Sequence, residues 1–172
     1  MGSGKTTVAH ILADRLGWKM IDTDAVIEQH EQSTCSQIIS TRGIDYFRTL
    51  ENDMLTELAE TDLSNTIIAT GGGMPCSDNN ISILKSAGIV IYLKWKASDL
   101  VRRLLLTDLS NRPRLKDRDE TELEQFVEHE LALREPYYSQ AYLTINAPCC
   151  QAYCTPHDDD DIATQIITNL NL

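Results

Sequence analysis

The sequence predicts an α/β fold, a three-layer sandwich in which helices flank a parallel sheet. Apolar runs of strand length alternate with longer segments whose apolar residues recur every three or four positions, a pattern typical of βα units. A glycine-rich turn at residues 2–4 leads directly into the first helical segment. The chain has 172 residues, of which 42% are apolar, so we expect residues 1–172 to form one domain.

Four short apolar runs are the predicted strands. They are short, all four contain β-branched residues, and polar or glycine-rich residues follow most of them. We expect strands over 19–21, 66–69, 89–95 and 143–146.

Helices are predicted where apolar residues follow the helical period. The first carries Val8, Ile11, Leu12 and Leu16 on one face. We expect helices over 5–16, 44–60, 98–106, 120–133 and 158–170. Residues 107–118 are polar and contain Pro113, and because a loop of that length in a compact domain is usually functional, we interpret it as a lid.

Charge and composition exclude several classes of protein. A net charge of −11 repels nucleic acid, and no apolar run approaches the roughly 20 residues of a membrane helix. The five cysteines are odd in number and no secretory segment is apparent. We therefore expect reduced thiols, a cytoplasmic location, and neither nucleic acid nor membrane as a partner.

The glycine-rich turn has the pattern of the second half of a P-loop. In such a loop backbone N–H groups and the helix N-terminus bind phosphates, Lys5 reaches the β- and γ-phosphates, and the Thr6 hydroxyl ligates Mg²⁺. The predicted ATP-binding residues are Gly2, Ser3, Gly4, Lys5, Thr6 and Thr7. The alternatives are an ordinary turn before a helix and a myristoylation signal formed by Met1, Gly2 and Thr6.

The P-loop pattern is incomplete at its start. Its first glycine, and the strand that leads into the loop, would both precede Met1. In a doubly wound sheet that strand is central. We therefore expect the central first strand to be missing here, and the natural chain to begin upstream of Met1.

Two carboxylates follow the first predicted strand. Asp22 and Asp24 lie at its carboxyl end, where open α/β sheets bind ligands. One of them can hold Mg²⁺ through water while the other accepts a hydrogen bond from an attacking hydroxyl. The alternative is a helix N-cap, which is compatible with either role.

Taken together, these motifs resemble those of the shikimate kinase family of P-loop kinases. The resemblance covers nearly everything from residue 1 to 146 and rests on motifs in the order and approximate spacing of that family. These motifs are Gly-Ser-Gly-Lys-Thr, Asp-Thr-Asp, Phe47-Arg48 with Glu51, Gly71-Gly72-Gly73, Arg112-Pro113, and Arg134 with Tyr138.

The resemblance implies specific roles for these residues. Asp22 contacts Mg²⁺ through a water molecule. Asp24 binds the substrate hydroxyl and acts as the catalytic base. Arg48 and Arg134 grip the shikimate carboxylate, a task that suits the planar guanidinium. Glu51 is placed to orient Arg48.

The resemblance also implies roles for two loops and one helical segment. Gly71, Gly72 and Gly73 approach the ring hydroxyls of the substrate, and residues of about 24–60 form a substrate-binding helical segment. Arg112, in the lid, covers the phosphates and neutralises charge in the transition state. Lys5 and Arg112 therefore join Asp24 as the expected catalytic residues.

Two departures from the family pattern concern the nucleotide side. Many members have an arginine where this chain has Leu105, so Arg102 or Arg103 compensates or the contact is absent. The segment 148–161 is longer than the loop that usually flanks the adenine in this family. It contains Cys149, Cys150, Cys154, His157 and four aspartates. A solvated loop before a helix is our interpretation, with a zinc site as the alternative.

The resemblance predicts transfer of the γ-phosphoryl group of ATP to the 3-hydroxyl of shikimate by a monomer that needs Mg²⁺. An enzymatic alternative is another small-molecule P-loop kinase, such as a gluconate-type kinase. A degenerate, non-catalytic nucleotide-binding protein is the alternative from a different class.

Overall fold

The computed structural model describes residues 2–107, 118–147 and 156–172. The predicted lid at 107–118, with Arg112, lies almost entirely outside these ranges. Cys149, Cys150 and Cys154 also lie outside them, so the structure does not address the zinc alternative.

Helices separate successive strands along the described residues, as the sequence predicts. The strands are β1 (Lys19–Asp22), β2 (Thr66–Ala69), β3 (Ile91–Lys94) and β4 (Leu143–Asn146). The helices are α1 (Lys5–Leu16), α2 (Thr23–Glu31), α3 (Cys35–Arg42), α4 (Ile44–Ala59), α5 (Asp78–Ala87), α6 (Ala97–Leu105), α7 (Glu120–Tyr138) and α8 (Pro156–Leu170).

Helices α2 and α3 were predicted only as part of a helical segment at about 24–60, helix α5 was not predicted, and α7 is longer than predicted. α5 begins after Ser77, whose hydroxyl accepts a hydrogen bond from the Asn80 backbone N–H at 3.2 Å. The apolar spacing of α7 fades after Leu133, but its last turn continues through Pro136. Proline removes only its own N–H and crowds the preceding turn, so the end of a helix tolerates it.

The four strands form two separate parallel pairs. β1 pairs with β2, with Lys19 opposite Thr66, and β3 pairs with β4, with Ile91 opposite Leu143. β2 and β3 belong to different sheets among the described strands.

Two apolar clusters form the core. One joins α1, α6, α7, α8 and β4 through residues that include Leu12, Leu104, Leu123, Ile145 and Ile162. The second lies within the segment between β1 and β2, with Met74 following β2, and includes Ile27, Ile38, Phe47 and Leu55. None of the described helices is both long enough and apolar enough to span a bilayer.

Candidate active site

The glycine-rich turn enters α1 with two glycines in the left-handed region. φ is 68° at Gly2 and 78° at Gly4, and the Val8 N–H donates to the Gly4 carbonyl at 2.8 Å. A Cβ on Gly4 would lie 2.9 Å from the Arg103 guanidinium and would collide with the Asp159 carboxylate. Only glycine fits here, and the turn presents the N-terminus of α1, a position that favours phosphate.

Side chains from distant elements hold this turn in place. The Trp95 indole N–H donates to the Ser3 carbonyl at 3.1 Å, and Arg103 Nε donates to the Gly2 carbonyl at 2.9 Å. Arg103 also binds both carboxylate oxygens of Asp159 at 2.9 Å. Arg103 therefore supports the turn through its backbone.

Thr6 and Asp22 lie together beside the turn. The Thr6 hydroxyl donates to Asp22 Oδ2 at 2.8 Å. Asp22 Oδ1 accepts from the backbone N–H groups of Asp24 at 3.0 Å and Ala25 at 3.3 Å, so Asp22 is also the N-cap of α2. A hydroxyl and a carboxylate are the hard oxygen ligands that Mg²⁺ prefers, with water completing its shell. This donor set fits a magnesium ion.

Asp24 lies in the first turn of α2 and is half-buried. Burial raises the pKa of its carboxyl above the ordinary 3.8, and the charge of Asp22 adds to the rise. The positive charges of Lys5 and Arg48 act in the opposite direction. Asp24 is thus within electrostatic reach of both the P-loop lysine and the α4 arginine, and a carboxylate with a raised pKa is a better proton acceptor.

The glycine run after β2 packs against these side chains. A Cβ on Gly71 would lie 2.5 Å from Asp24 Oδ1, and a Cβ on Gly73 would lie 2.5 Å from a guanidinium nitrogen of Arg48. The Gly71 N–H donates to the hydroxyl of the fully buried Thr23 at 2.9 Å. Glycines are therefore required at 71 and 73 because side chains of α2 and α4 occupy the adjacent space.

Arg48 and Arg134 are each paired with a carboxylate on their own helix. Arg48 binds Glu51, and Arg134 binds Glu130. The charges of both arginines act on the Glu51 carboxyl and on the Cys76 thiol. The two guanidinium groups therefore share neighbours, as a joint carboxylate site requires.

Burial controls the ionisation of the groups around these arginines. It raises the pKa of the Glu51 carboxyl, which Arg48 only partly offsets, and it raises the pKa of the Cys76 thiol. The Tyr138 hydroxyl donates to the Gly72 carbonyl at 2.5 Å, and burial raises its pKa as well. Tyr138 thus stays a neutral donor that ties α7 to the glycine run.

The structure brings most of the predicted site residues into two adjoining groups. Lys5, Thr6 and Asp22 lie at the turn, and Asp24 links them to the group at the glycine run and the two arginines. Leu105, by contrast, is 47% exposed, and Arg102 binds Asp99 at 3.4 Å. Arg112 lies outside the described residues.

Several supporting residues were not identified from the sequence. Glu130 had a readable signal, because it lies four residues before Arg134 on a helix. Arg103 was named only as a possible nucleotide contact, not as a support of the turn. Thr23, Trp95 and Asp159 had no such signal, since their partners are far away in the sequence.

Comparison with known proteins identifies the family of the chain. The family model described as shikimate kinase matches residues 1–171. A shikimate kinase of Parabacteroides distasonis is 38% identical over 167 residues, covering 97% of this chain and 93% of the relative. One of Azobacteroides pseudotrichonymphae is 36% identical over 141 residues, 82% of each chain.

Solved structures give the same result. The crystal structure of shikimate kinase from Bacteroides thetaiotaomicron matches with a TM-score of 0.85 and 31% identity, covering 100% of this chain and 94% of that one. Shikimate kinase from Acinetobacter baumannii in complex with shikimate matches with a TM-score of 0.80 and 32% identity, covering 99% and 88%. Sequence, fold and full-length matches therefore agree that the chain belongs to the shikimate kinase family.

Proposed function

We propose that this chain transfers the γ-phosphoryl group of ATP to the 3-hydroxyl of shikimate, giving shikimate 3-phosphate and ADP. The observation that carries the proposal is the position of Asp24, whose carboxyl is adjacent to Gly71 and is acted on by the positive charges of both Lys5 and Arg48. A base near both a lysine and an arginine suits transfer of a phosphoryl group to a hydroxylated acid.

On the nucleotide side, the residues neutralise phosphate charge. The start of α1 and Lys5 face the phosphates, and Thr6 with Asp22 would hold Mg²⁺, Asp22 through water. When bound, the ion neutralises charge on the β- and γ-phosphates. We include Arg112 in the proposal as the lid residue that covers the phosphates.

On the acid side, Arg48 and Arg134 bind the carboxylate of shikimate, and the glycine run faces its ring hydroxyls. Glu51 and Glu130 hold the two guanidinium groups in position through ion pairs. Because guanidinium forks bind carboxylates with defined geometry, the acid is oriented with one hydroxyl towards Asp24.

In the chemical step, the 3-oxygen of shikimate forms a bond to the γ-phosphorus while the bond to the bridging oxygen of ADP breaks. The hydroxyl proton passes to the Asp24 carboxylate. Lys5 stabilises the charge that develops on the phosphoryl oxygens. We further propose that the protein is a cytoplasmic monomer that acts on a small molecule and does not bind nucleic acid. The net charge of −11 supports the absence of nucleic-acid binding.

The test is ADP formation from ATP and Mg²⁺ with shikimate or gluconate as acceptor, with phosphorus NMR of the product. We expect ADP formation that depends on shikimate, and a phosphate ester on its 3-oxygen. A clear preference for gluconate would overturn the substrate assignment, and no acceptor-dependent ADP would favour a non-catalytic nucleotide-binding protein.

A further inference from the structure

Three side chains from three different parts of the fold meet beside the glycine-rich turn. Trp95 follows β3, Arg103 lies on α6, and Asp159 lies in the first turn of α8. Trp95 and Asp159 are buried, and the Arg103 side chain is only 13% exposed. The Arg103 guanidinium lies over the Trp95 ring, 4.6 Å from its centroid. We call these three residues the brace.

The brace binds two consecutive carbonyl groups of the turn. Arg103 Nε donates to the Gly2 carbonyl at 2.9 Å, and the Trp95 indole N–H donates to the Ser3 carbonyl at 3.1 Å. In a planar trans peptide, the C=O of one residue and the N–H of the next point in opposite directions. The two contacts therefore direct the N–H groups of Ser3 and Gly4 away from the brace.

These two N–H groups suit a phosphate ligand. Among the described residues, neither of them donates to another backbone group. Ser3 and Gly4 directly precede Lys5, the first residue of α1, and the N-terminus of a helix favours an anion. Two donors with a fixed direction at this position form a preorganised anion site.

Asp159 acts on Arg103, because its charge does not suit a phosphate site. One terminal nitrogen of Arg103 binds both carboxylate oxygens of Asp159 at 2.9 Å. A carboxylate so close to bound phosphate opposes binding by its charge, whereas an unpaired guanidinium would be drawn to the phosphate itself. The ion pair therefore keeps Arg103 on the Gly2 carbonyl.

We propose that Trp95, Arg103 and Asp159 are positioning residues that aim the N–H groups of Ser3 and Gly4 at the phosphates of the nucleotide. The inference rests on the nucleotide side of the proposed function. It adds a role for residues that act through the backbone of the turn.

The substitution Asp159→Asn gives the test a sign. Charge alone predicts tighter binding of MgADP when a carboxylate beside the phosphates is lost, whereas the brace predicts weaker binding because Arg103 is held less firmly. Asp160→Asn is the matched control, since Asp160 is the next residue of α8 and pairs with Arg15 on α1. Titration calorimetry with MgADP, without an acceptor, measures both variants.

A second substitution removes a donor and leaves the charges unchanged. Trp95→Phe loses the hydrogen bond to the Ser3 carbonyl and keeps an aromatic ring in the core. Trp18→Phe is its control, because Trp18 lies beyond the opposite end of α1. Nitrogen-15 relaxation of the ligand-free chain gives the backbone order of the turn, with residues 71–73 as the reference. If Asp159→Asn does not fold, Trp95→Phe decides the question by the same two measurements.

We expect Asp159→Asn and Trp95→Phe each to weaken MgADP binding about fivefold or more, as loss of a hydrogen bond implies. The order of Ser3 and Gly4 should fall while that of residues 71–73 is unchanged, and both controls should behave as the wild type.

Unchanged or tighter MgADP binding by either folded variant overturns the inference, as does an equal loss of order at the turn and at residues 71–73, or a wild type that binds no MgADP. If the expected MgADP pattern is found but the wild type does not phosphorylate shikimate, the proposed function fails and the positioning role is supported.

Discussion

Arg48 on α4 forms an ion pair with Glu51, three residues along the same helix, and the Glu51 side chain is only 1% exposed. The pair faces the glycine run, since a Cβ on Gly71 would lie 3.1 Å from Glu51 Oε1. Glu51 therefore fixes the direction of an arginine whose own side chain is 41% exposed.

Replacing Glu51 should weaken the binding of shikimate without affecting ATP. Glu51→Gln keeps the shape of the side chain but removes the charge that orients Arg48, so we expect the KM for shikimate to rise about tenfold, or ~1.4 kcal/mol. Steady-state kinetics with each substrate varied measures this. Glu57→Gln, at an exposed position of α4, is the matched control, and an equal rise in the KM for ATP would contradict a positioning role.

Asp24→Asn should lower turnover and raise stability. Loss of the base should lower kcat by about 10²–10⁴-fold, while removal of a half-buried carboxylate whose pKa is raised by desolvation should raise the melting temperature. Asp53→Asn, exposed on α4, is the control for both measurements. A variant with full turnover would remove Asp24 from the mechanism.

Lys5→Ala should abolish turnover in a chain that remains folded. The lysine lies at the first residue of α1 and contacts Ser3 through its ammonium group at 3.4 Å, so alanine there keeps the helix and removes the cation. Circular dichroism checks the fold, and ADP release checks the activity. Wild-type turnover in this variant would be incompatible with the proposed phosphate site.

The stability gained from Asp24→Asn should depend on pH in a defined direction. The folded state raises the pKa of Asp24 above 3.8, so just above that value the folded chain binds more protons than the unfolded chain. The contribution of Asp24 to stability is therefore lost as the pH rises through the folded pKa. Urea denaturation should show the largest difference between variant and wild type at neutral pH and a smaller one towards pH ~4. A difference that grows on acidification would reverse the sign and refute the assignment.

Tyr138→Phe should loosen the glycine run. It removes the hydrogen bond from the Tyr138 hydroxyl to the Gly72 carbonyl, 2.5 Å long, and a bond of this kind is worth about 1 kcal/mol. We expect the KM for shikimate to rise about fivefold, as that free energy implies. Tyr142→Phe is the control because Tyr142 is 77% exposed. Identical kinetics for the two variants would show that the bond does not position the glycine run.

The local features of the site could be predicted from the sequence. β2 and β4 have the predicted bounds, because short β-branched runs bordered by polar or glycine residues leave little choice. The adjacency of Asp22 and Asp24 to a strand end followed from the order of the residues. The roles of Asp24, Arg48 and Arg134 remain predictions that the experiments above test.

Long-range contacts could not be predicted. Trp95 binds Ser3 across 92 positions of sequence, and Arg103 binds Asp159 across 56. Such pairs depend on how helices and strands pack, and neither residue type signals its partner. Helix α5 was missed because its ten residues carry only three large apolar side chains, Ile81, Ile83 and Leu84. Ser77 is of a residue type favoured at a helix N-cap, but this signal alone did not lead to the prediction of a helix.

The most direct test of the account measures shikimate affinity by titration calorimetry for the wild type, Arg48→Gln and Arg134→Gln, each with shikimate and with its neutral carboxamide. If both arginines hold the carboxylate, each substitution should weaken shikimate binding about tenfold or more, as loss of a charge-assisted hydrogen bond implies, and leave carboxamide binding nearly unchanged. Substitutions that weaken both ligands equally, or neither, would contradict the claim that Arg48 and Arg134 share one carboxylate site beside Asp24.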